Sequence, residues 1–582
     1  MTDKFTQYRA TPVPVPARTL TWNMYGAGLE NVGRAGRPET FPVPSPGPDQ
    51  LLVRVDAVGM CFSDVKLIKQ GGKHPKLYDR DLSHEPTRLG HEVALTVVEA
   101  GEKLRGRFRP GQRLGLQPDI YQGGRSTAYG YTIPGGLTQF HLLGPEVLDA
   151  EGACFVLPLE GDLGYAATAL TEPWACVEGA YRQRRRLEPR PGGVMWLVGR
   201  PGDATAYTCS RGLEAPATFV LTDAPPAVAA LVEKEAARRG AKVIRRDGVA
   251  PAGFAALSTE LTGGAGFDDV VLLEPRSAEA VGAAGRVVAR RGTLNLVGRT
   301  PLDGPVQVDV GRIHYDYTAY VGSPGPDLAA SYGEARNRAE LRDGGLAVYV
   351  GAGGPMGQMH VQRALELPGG PRTLLASDVN GERLAVVGKA FASLARERGK
   401  ELVLFHQAPG AEPLREVVDR LSGGRGADDV IVSVPVGEVM ADAARLMAPD
   451  GMLVLFAGVP NGTYAPLDLS AVYLHNAQYT GTSGSTLDDQ RLVIRKALDH
   501  TLSPQRSVGA VGGLHAAVEG ARAMMEGRFP GKILIFPQLP DLPLLSLPEL
   551  AQRYPEVGGK LDASGGWTPE AEKALIERFW AP

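Results

Sequence analysis

The chain has 582 residues, 43% of them hydrophobic and 22% charged, and a formal net charge of −3. That length is too great for one core and implies three or four domains at roughly 100–200 residues each. The charge gives no electrostatic case for nucleic acid or an anionic membrane as partner. The cysteines Cys61, Cys154, Cys176 and Cys209 form no CxxC pair and no disulfide framework. The opening residues MTDKFTQYRATPVPVPARTL lack the apolar run of a signal peptide, and the uncharged stretch 451–467 is broken by Pro460, Asn461 and Gly462. A cytoplasmic protein without a membrane span is therefore expected.

Residues 1–190 hold many short strand-like runs punctuated by Gly and Pro, such as DQLLVRVDAVGMCFSD, and predict a β-rich domain. Residues 191–340 and 341–505 then repeat one pattern. The first copy runs VMWLVG, ATFVLTD, AKVIRRD, GGAGFDDVVLLEP, RRGTLNLVGRT, YTAYVGS. The second runs LAVYVGAG, RTLLASD, ELVLFH, GGRGADDVIVSVP, PDGMLVLFAGVP, NAQYTGTS. Aliphatic strands alternate with helical segments, six strands per copy, which is the pattern of a doubly wound parallel sheet written twice. The fold class is thus α/β, with a β-rich domain followed by tandem parallel-sheet domains. Residues 506–540 read as a return segment to the first domain. The tail 541–582 ends in a predicted helix with Thr568 as N-cap and Pro569 at the first helical position.

In the second copy, the strand VYV runs into the turn GAGGPMG and a helix. Gly351, Gly353, Gly354 and Gly357 would let the backbone approach a pyrophosphate at the positive end of that helix. Asp378, 21 residues after Gly357 at the end of the next strand, would accept from a ribose 2′-hydroxyl and repel a 2′-phosphate, which favours NAD over NADP. The first copy reads VGRPGDATAY. Pro201 removes a donor, Asp203 places negative charge where a pyrophosphate would lie, and this copy is expected to be degenerate and architectural.

Zinc in catalytic sites takes three N, S or O ligands and leaves one position open. Cys61 in GMCFSD, His91 in LGHEV and Glu172 in LTEPWA meet that need, with Glu92 as an alternate ligand or a carboxylate that supports the ligands from behind. Asp64 is placed to orient His91 through its far ring nitrogen, and Ser63 to pass a proton between a bound alcohol and solvent. Tyr121, Tyr129 and Tyr131 are pocket candidates, and the run YRQRRR (181–186) reads as a solvated helix end or a contact for a phosphorylated substrate.

Taken together, Cys61–Ser63–Asp64, Gly90–His91–Glu92, RPGQRL, Glu172–Pro173, the Gly-rich loop with Asp378 and the closing GRFPGKILIF resemble the medium-chain dehydrogenase/reductase superfamily on its zinc-dependent alcohol and polyol dehydrogenase side. The resemblance covers roughly residues 20–190 and 340–537. It implies a GroES-like catalytic domain, a Rossmann domain, zinc- and NAD-dependent hydride transfer to or from a secondary alcohol, and frequent oligomers. The Cys, His and Glu-Pro set is similar to that of sorbitol-dehydrogenase-like members. Three departures stand out: residues 117–140 hold none of the four cysteines of a structural zinc lobe, so one zinc per chain is expected; Leu95 replaces a customary Gly; and an extra Rossmann unit is inserted. That unit is expected to imitate a dimer partner inside one chain. The alternatives are a zinc- and NAD-dependent eliminase or epimerase, and a non-catalytic dinucleotide-sensing or scaffold protein.

Overall fold

In the computed structural model, which describes residues 3–10 and 15–581, the chain divides into two units: Met1–Gly179 with Gly484–Pro582, and Ala180–Ser483. Residues 1–2 and 11–14 of the N-terminal segment lie outside the described residues. The second unit contains two six-stranded, all-parallel sheets. In each copy the third, second, first, fourth, fifth and sixth strands follow one another across the sheet. The first sheet is built from Val194–Val198, Thr218–Thr222, Lys242–Arg245, Phe267–Leu273, Val288–Val297 and Ala319–Ser323. The second is built from Leu346–Val350, Thr373–Asp378, Glu401–His406, Ala427–Val432, Met447–Leu455 and Gln478–Gly481.

The repeated GG-x-G-x-DD segments perform one task twice. Asp268 Oδ2 accepts the Val194 N–H and Asp428 Oδ2 accepts the Leu346 N–H, at 2.9 and 2.8 Å. Each fixes the entry of the central strand. The neighbouring acids carry arginines: Asp269 binds Arg186 and the Arg190 N–H, while Asp429 binds Arg338 and the Arg342 N–H. The last glycine of each turn sits at φ +88° (Gly266) or +90° (Gly426), where an added Cβ would fall 2.8 or 2.7 Å from backbone of the next strand.

The two sheets meet through their last strands. Ala319–Ser323 lies against Gln478–Gly481. Val306–Asp309 forms an antiparallel ladder with Tyr464–Leu467, register Val306↔Leu467 to Asp309↔Tyr464. One hydrophobic cluster joins Val308, Ile313 and Tyr320 of the first copy to Leu467, Val472 and Tyr479 of the second. Side chains from both copies are thus buried in common, and neither edge strand faces water as an open ladder.

The copies differ after their first strands. In the second, Gly354 caps the helix Pro355–Glu366. In the first, no helix lies between Val194–Val198 and Thr218–Thr222. Asp203 instead gathers the Thr205 N–H and hydroxyl and the Tyr207 hydroxyl, at 3.0, 2.7 and 2.8 Å. The helix N-terminus that would receive a pyrophosphate does not exist there.

In the first unit, Leu51–Gly59 pairs antiparallel with Glu92–Ala100, Phe140–Leu143 and Lys532–Phe536. The return segment therefore completes the N-terminal sheet. The unit boundaries at 179/180 and 483/484 differ from the expected 190 and 505. The reason is the helix Leu487–Leu498: its Gln490 donates to the Thr171 hydroxyl at 2.9 Å and its Lys496 to Glu178 at 2.8 Å, both on the helix Tyr165–Gly179. Among the described residues no helix is long and apolar enough to cross a membrane.

A matched pair of substitutions tests the repeated turn. Gly424 also has φ +85°, but a Cβ there meets nothing within 4 Å. Gly424→Ala is expected to cost about 1 kcal/mol from the backbone alone. Gly426→Ala should cost about 3 kcal/mol or more, because backbone must also move. Urea unfolding of the two variants measures the difference.

Candidate active site

Cys61 precedes the helix Phe62–Gln70, which places its sulfur at the positive end of that helix. His91 follows Gly90, whose φ of +92° turns the chain into the strand Glu92–Ala100. One ligand atom each of Cys61, His91 and Glu92 lies within 4.8 Å of the others. Glu172, on the helix Tyr165–Gly179, is not part of that grouping. Successive residues of a regular strand point to opposite faces. His91 lies before the strand begins, so it and Glu92 can serve one centre.

The surroundings hold these groups in place. Asp64 Oδ1 stands 3.4 Å from His91 Nδ1, while its carboxylate also accepts the Cys61 and Gly90 N–H groups at 2.9 and 3.3 Å. Burial opposes the charge on His91, but the Asp64 carboxylate outweighs it and holds the imidazole well above its usual value. Ser63 Oγ lies 3.3 Å from His91 Nε2, the ring nitrogen opposite Asp64. Lys532, buried on the return strand, donates to the Met60 carbonyl at 2.8 Å and to Glu92 Oε1. Glu92 Oε2 is buried without a hydrogen-bond partner. A buried, unsatisfied carboxylate oxygen beside a thiol and an imidazole fits a divalent, borderline-soft cation such as zinc.

Glu172 is pushed up to about 7 by burial, with Glu92 and Asp119 adding to the effect and His91 opposing it. Its Oε1 lies 3.9 Å from Cys176 Sγ, one helical turn away. The Tyr131 ring is 5.8 Å from His91 and 5.3 Å from His74, and Lys76 Nζ lies 4.8 Å from the same ring while pairing with Asp119 at 3.1 Å. Tyr129 is spent on packing through His141, and Tyr121 is exposed. Lys532, Asp119, Lys76, His74 and Cys176 are members of this region that motif reading missed. Lys532, Asp119, Lys76 and His74 come from strands and loops outside the motifs around Cys61 and His91, while Cys176 follows Glu172 by one turn of the same helix.

In the second unit, Gly351 adopts φ +81°, and a Cβ on Gly357 would fall 2.2 Å from the Gly351 carbonyl oxygen. Those two glycines serve close strand–helix packing. Gly354 is different: an added Cβ there would come no nearer than 3.8 Å to the Gly351 carbonyl oxygen, so no close packing requires glycine at that point of the loop. Asp378 Oδ2 accepts the Gly353 N–H at 2.8 Å, which sets the carboxylate against the loop. Together they fit a dinucleotide with free ribose hydroxyls.

Residues 47–147 match the alcohol dehydrogenase GroES-like domain family. An uncharacterized protein of Escherichia coli K12, YggP, is 31% identical over 309 residues, spanning 50% of this chain and 71% of the relative. The L-sorbose 1-phosphate reductase of Klebsiella pneumoniae is 24% identical over 93% of this chain and 94% of its own length. A sorbitol dehydrogenase of Bombyx mori is 39% identical over 82 residues, 14% of this chain and 22% of the relative. The chain belongs to the zinc-dependent alcohol and polyol dehydrogenases of the medium-chain dehydrogenase/reductase family. It is an oxidoreductase of that family, and Cys61, Ser63, Asp64, His91 and Glu92 all fall in the matched domain.

This dehydrogenase also recruits its C-terminal tail. The helix Pro569–Phe579, capped by Thr568, carries Glu572. The Glu572 carboxylate accepts the Tyr165 and Ala166 N–H groups, both at 2.7 Å, and so caps the helix that bears Glu172.

Burial raises Glu572 from its ordinary 4.5 to about 6, against those hydrogen bonds. A raised carboxyl contributes stability that is present below pH 4.5 and lost as pH rises through 6. The shift is worth about 2 kcal/mol. Glu572→Gln is therefore expected to flatten the decline in unfolding free energy between those values, as read by denaturant titration across pH. A Cβ at Gly59 would fall 2.1 Å from Glu92 Oε2. Gly59→Ala should displace that carboxylate and lower zinc per chain, measured by elemental mass spectrometry on folded protein.

Proposed function

We propose that this dehydrogenase moves a hydride between NAD and a secondary alcohol of the polyol or sugar-derivative class. The observation that carries this reading is the gathering of Cys61, His91 and Glu92, with a buried unsatisfied Glu92 oxygen, in a chain that also presents the Gly351–Gly357 loop with Asp378. The name of the Klebsiella relative, a reductase of a sugar phosphate, supports a sugar derivative as substrate.

Cys61, His91 and Glu92 would hold zinc, with Glu172 as a further carboxyl donor. When bound, zinc would supply Lewis-acid polarisation of the reacting oxygen and NAD would accept or return the hydride. Asp64 lies on the Nδ1 side of the His91 ring at 3.4 Å, which leaves Nε2 as the nitrogen available to the metal. The Ser63 hydroxyl is placed to take the proton of the substrate hydroxyl and hand it onward. Lys532 restrains one oxygen of Glu92 and balances its charge. Lys76 and Asp119, beside Tyr131, offer a donor and acceptors suited to further hydroxyl groups on the substrate. Asp378 selects a ribose with a free 2′-hydroxyl, hence NAD.

The test is an NAD-reduction screen of metal-replete protein across polyols, sugar phosphates and amino alcohols, together with a Cys61→Ser variant. Turnover is expected with at least one class, and Cys61→Ser should lower it more than about 100-fold while NAD binding persists. Undiminished turnover in Cys61→Ser would refute zinc chemistry. Absence of NAD reduction with every alcohol would refute the hydride reaction.

A further inference from the structure

The run YRQRRR does not end a helix: the helix before it stops at Gly179. Three of its four arginines instead line a cleft that belongs wholly to the unit 180–483. Arg182, Arg184, Arg185 and Arg338 line it, together with Thr318 and Thr482, and no Asp or Glu does. Its interior room is ≈ 30 Å³, enough for one tetrahedral oxyanion or about two waters and too little for a nucleotide.

Two observations show that the cleft is built for a ligand. Arg185 is a half-buried cation whose partners are all neutral: the Asn337 and Gln478 amide oxygens at 3.4 and 3.0 Å and the Tyr479 carbonyl at 2.8 Å. Burial alone acts on it and lowers it to about 10. Other arginines of the repeated framework have their own acids, as Arg338 has Asp429 and Arg186 has Asp269. Independently, Thr318 and Thr482 are 3% and 4% exposed, and neither hydroxyl has a hydrogen-bond partner. Two unsatisfied hydroxyls and a guanidinium without a counter-charge are each costly, and one anion would relieve all three.

We propose that this cleft binds a phosphate-class oxyanion, held by the Arg185 guanidinium and by the Thr318 and Thr482 hydroxyls. Three donors from separate elements suit a tetrahedral anion better than a planar carboxylate. The site lies within the nucleotide-fold unit and uses none of the candidate zinc ligands or the Gly351–Gly357 loop. It stands whether or not the proposed reaction is correct. The anion arrives either as free phosphate or as the phosphoryl group of an ester.

The experiment is calorimetric titration of the full-length protein with inorganic phosphate at constant ionic strength, repeated on Thr482→Val and Arg185→Gln. Thr482→Val removes only a hydroxyl and keeps the shape, so it remains informative if Arg185→Gln fails to fold. Wild-type protein should bind phosphate, and Thr482→Val should weaken it about tenfold. Folded Arg185→Gln should not bind. Parallel titrations with a sugar phosphate and adenosine 5′-monophosphate identify the source: tighter binding of an ester names the ester, and tighter binding of inorganic phosphate names the free ion. No binding to wild type at millimolar phosphate overturns the proposal. So does unchanged affinity in Thr482→Val, which would place the bound ion elsewhere.

Discussion

A parallel sheet that ends in a bare edge strand needs something to cover it, and in this chain each of two sheets covers the other. Ala319–Ser323 and Gln478–Gly481 are the last strands of their copies, and they meet beside the ladder of Val306–Asp309 with Tyr464–Leu467. Much else follows from this arrangement. It fixes which faces of the helices Val310–Tyr315 and Ser470–His475 are buried, and it merges two cores into one cluster. The first copy keeps its strand order, its aspartate pair and its tight glycine, and it has lost the helix that a dinucleotide requires.

The unit Met1–Gly179 with Gly484–Pro582 is assembled on the same logic of distant segments closing one structure. The strand Lys532–Phe536 completes the sheet begun by Leu51–Gly59, and brings Lys532 to Glu92 across 440 positions of sequence. The helix Tyr165–Gly179 is capped by Glu572 and braced by Gln490 and Lys496. The helix that carries Glu172 is therefore held by two segments, Leu487–Leu498 and Pro569–Phe579, that motif reading does not connect with it.

What was legible in the sequence was whatever repeats or clusters locally. The doubled sheet could be read because buried parallel strands are continuous aliphatic runs and because GG-x-G-x-DD recurs. The Gly-rich loop and its Asp378 could be read because their spacing is short. The carboxylates were harder to rank. Sequence ranks Glu172 ahead of Glu92, whereas the turn at Gly90 is what lets Glu92 group with His91 and Cys61. The arginines at 182–185 looked like a solvated helix end because charge runs usually are. The partial burial of Arg185 depends on residues more than a hundred positions away, including Gln478 and Tyr479.

Covalent linkage of the two sheet copies has a thermodynamic consequence. An interface between separate subunits weakens on dilution, because its stability depends on protomer concentration. Here the two faces share one backbone, so each meets the other at an effective concentration set by the connecting chain rather than by the solution. The joined core between Val306–Asp309 and Tyr464–Leu467 persists at any protein level, however sparsely the chain is expressed.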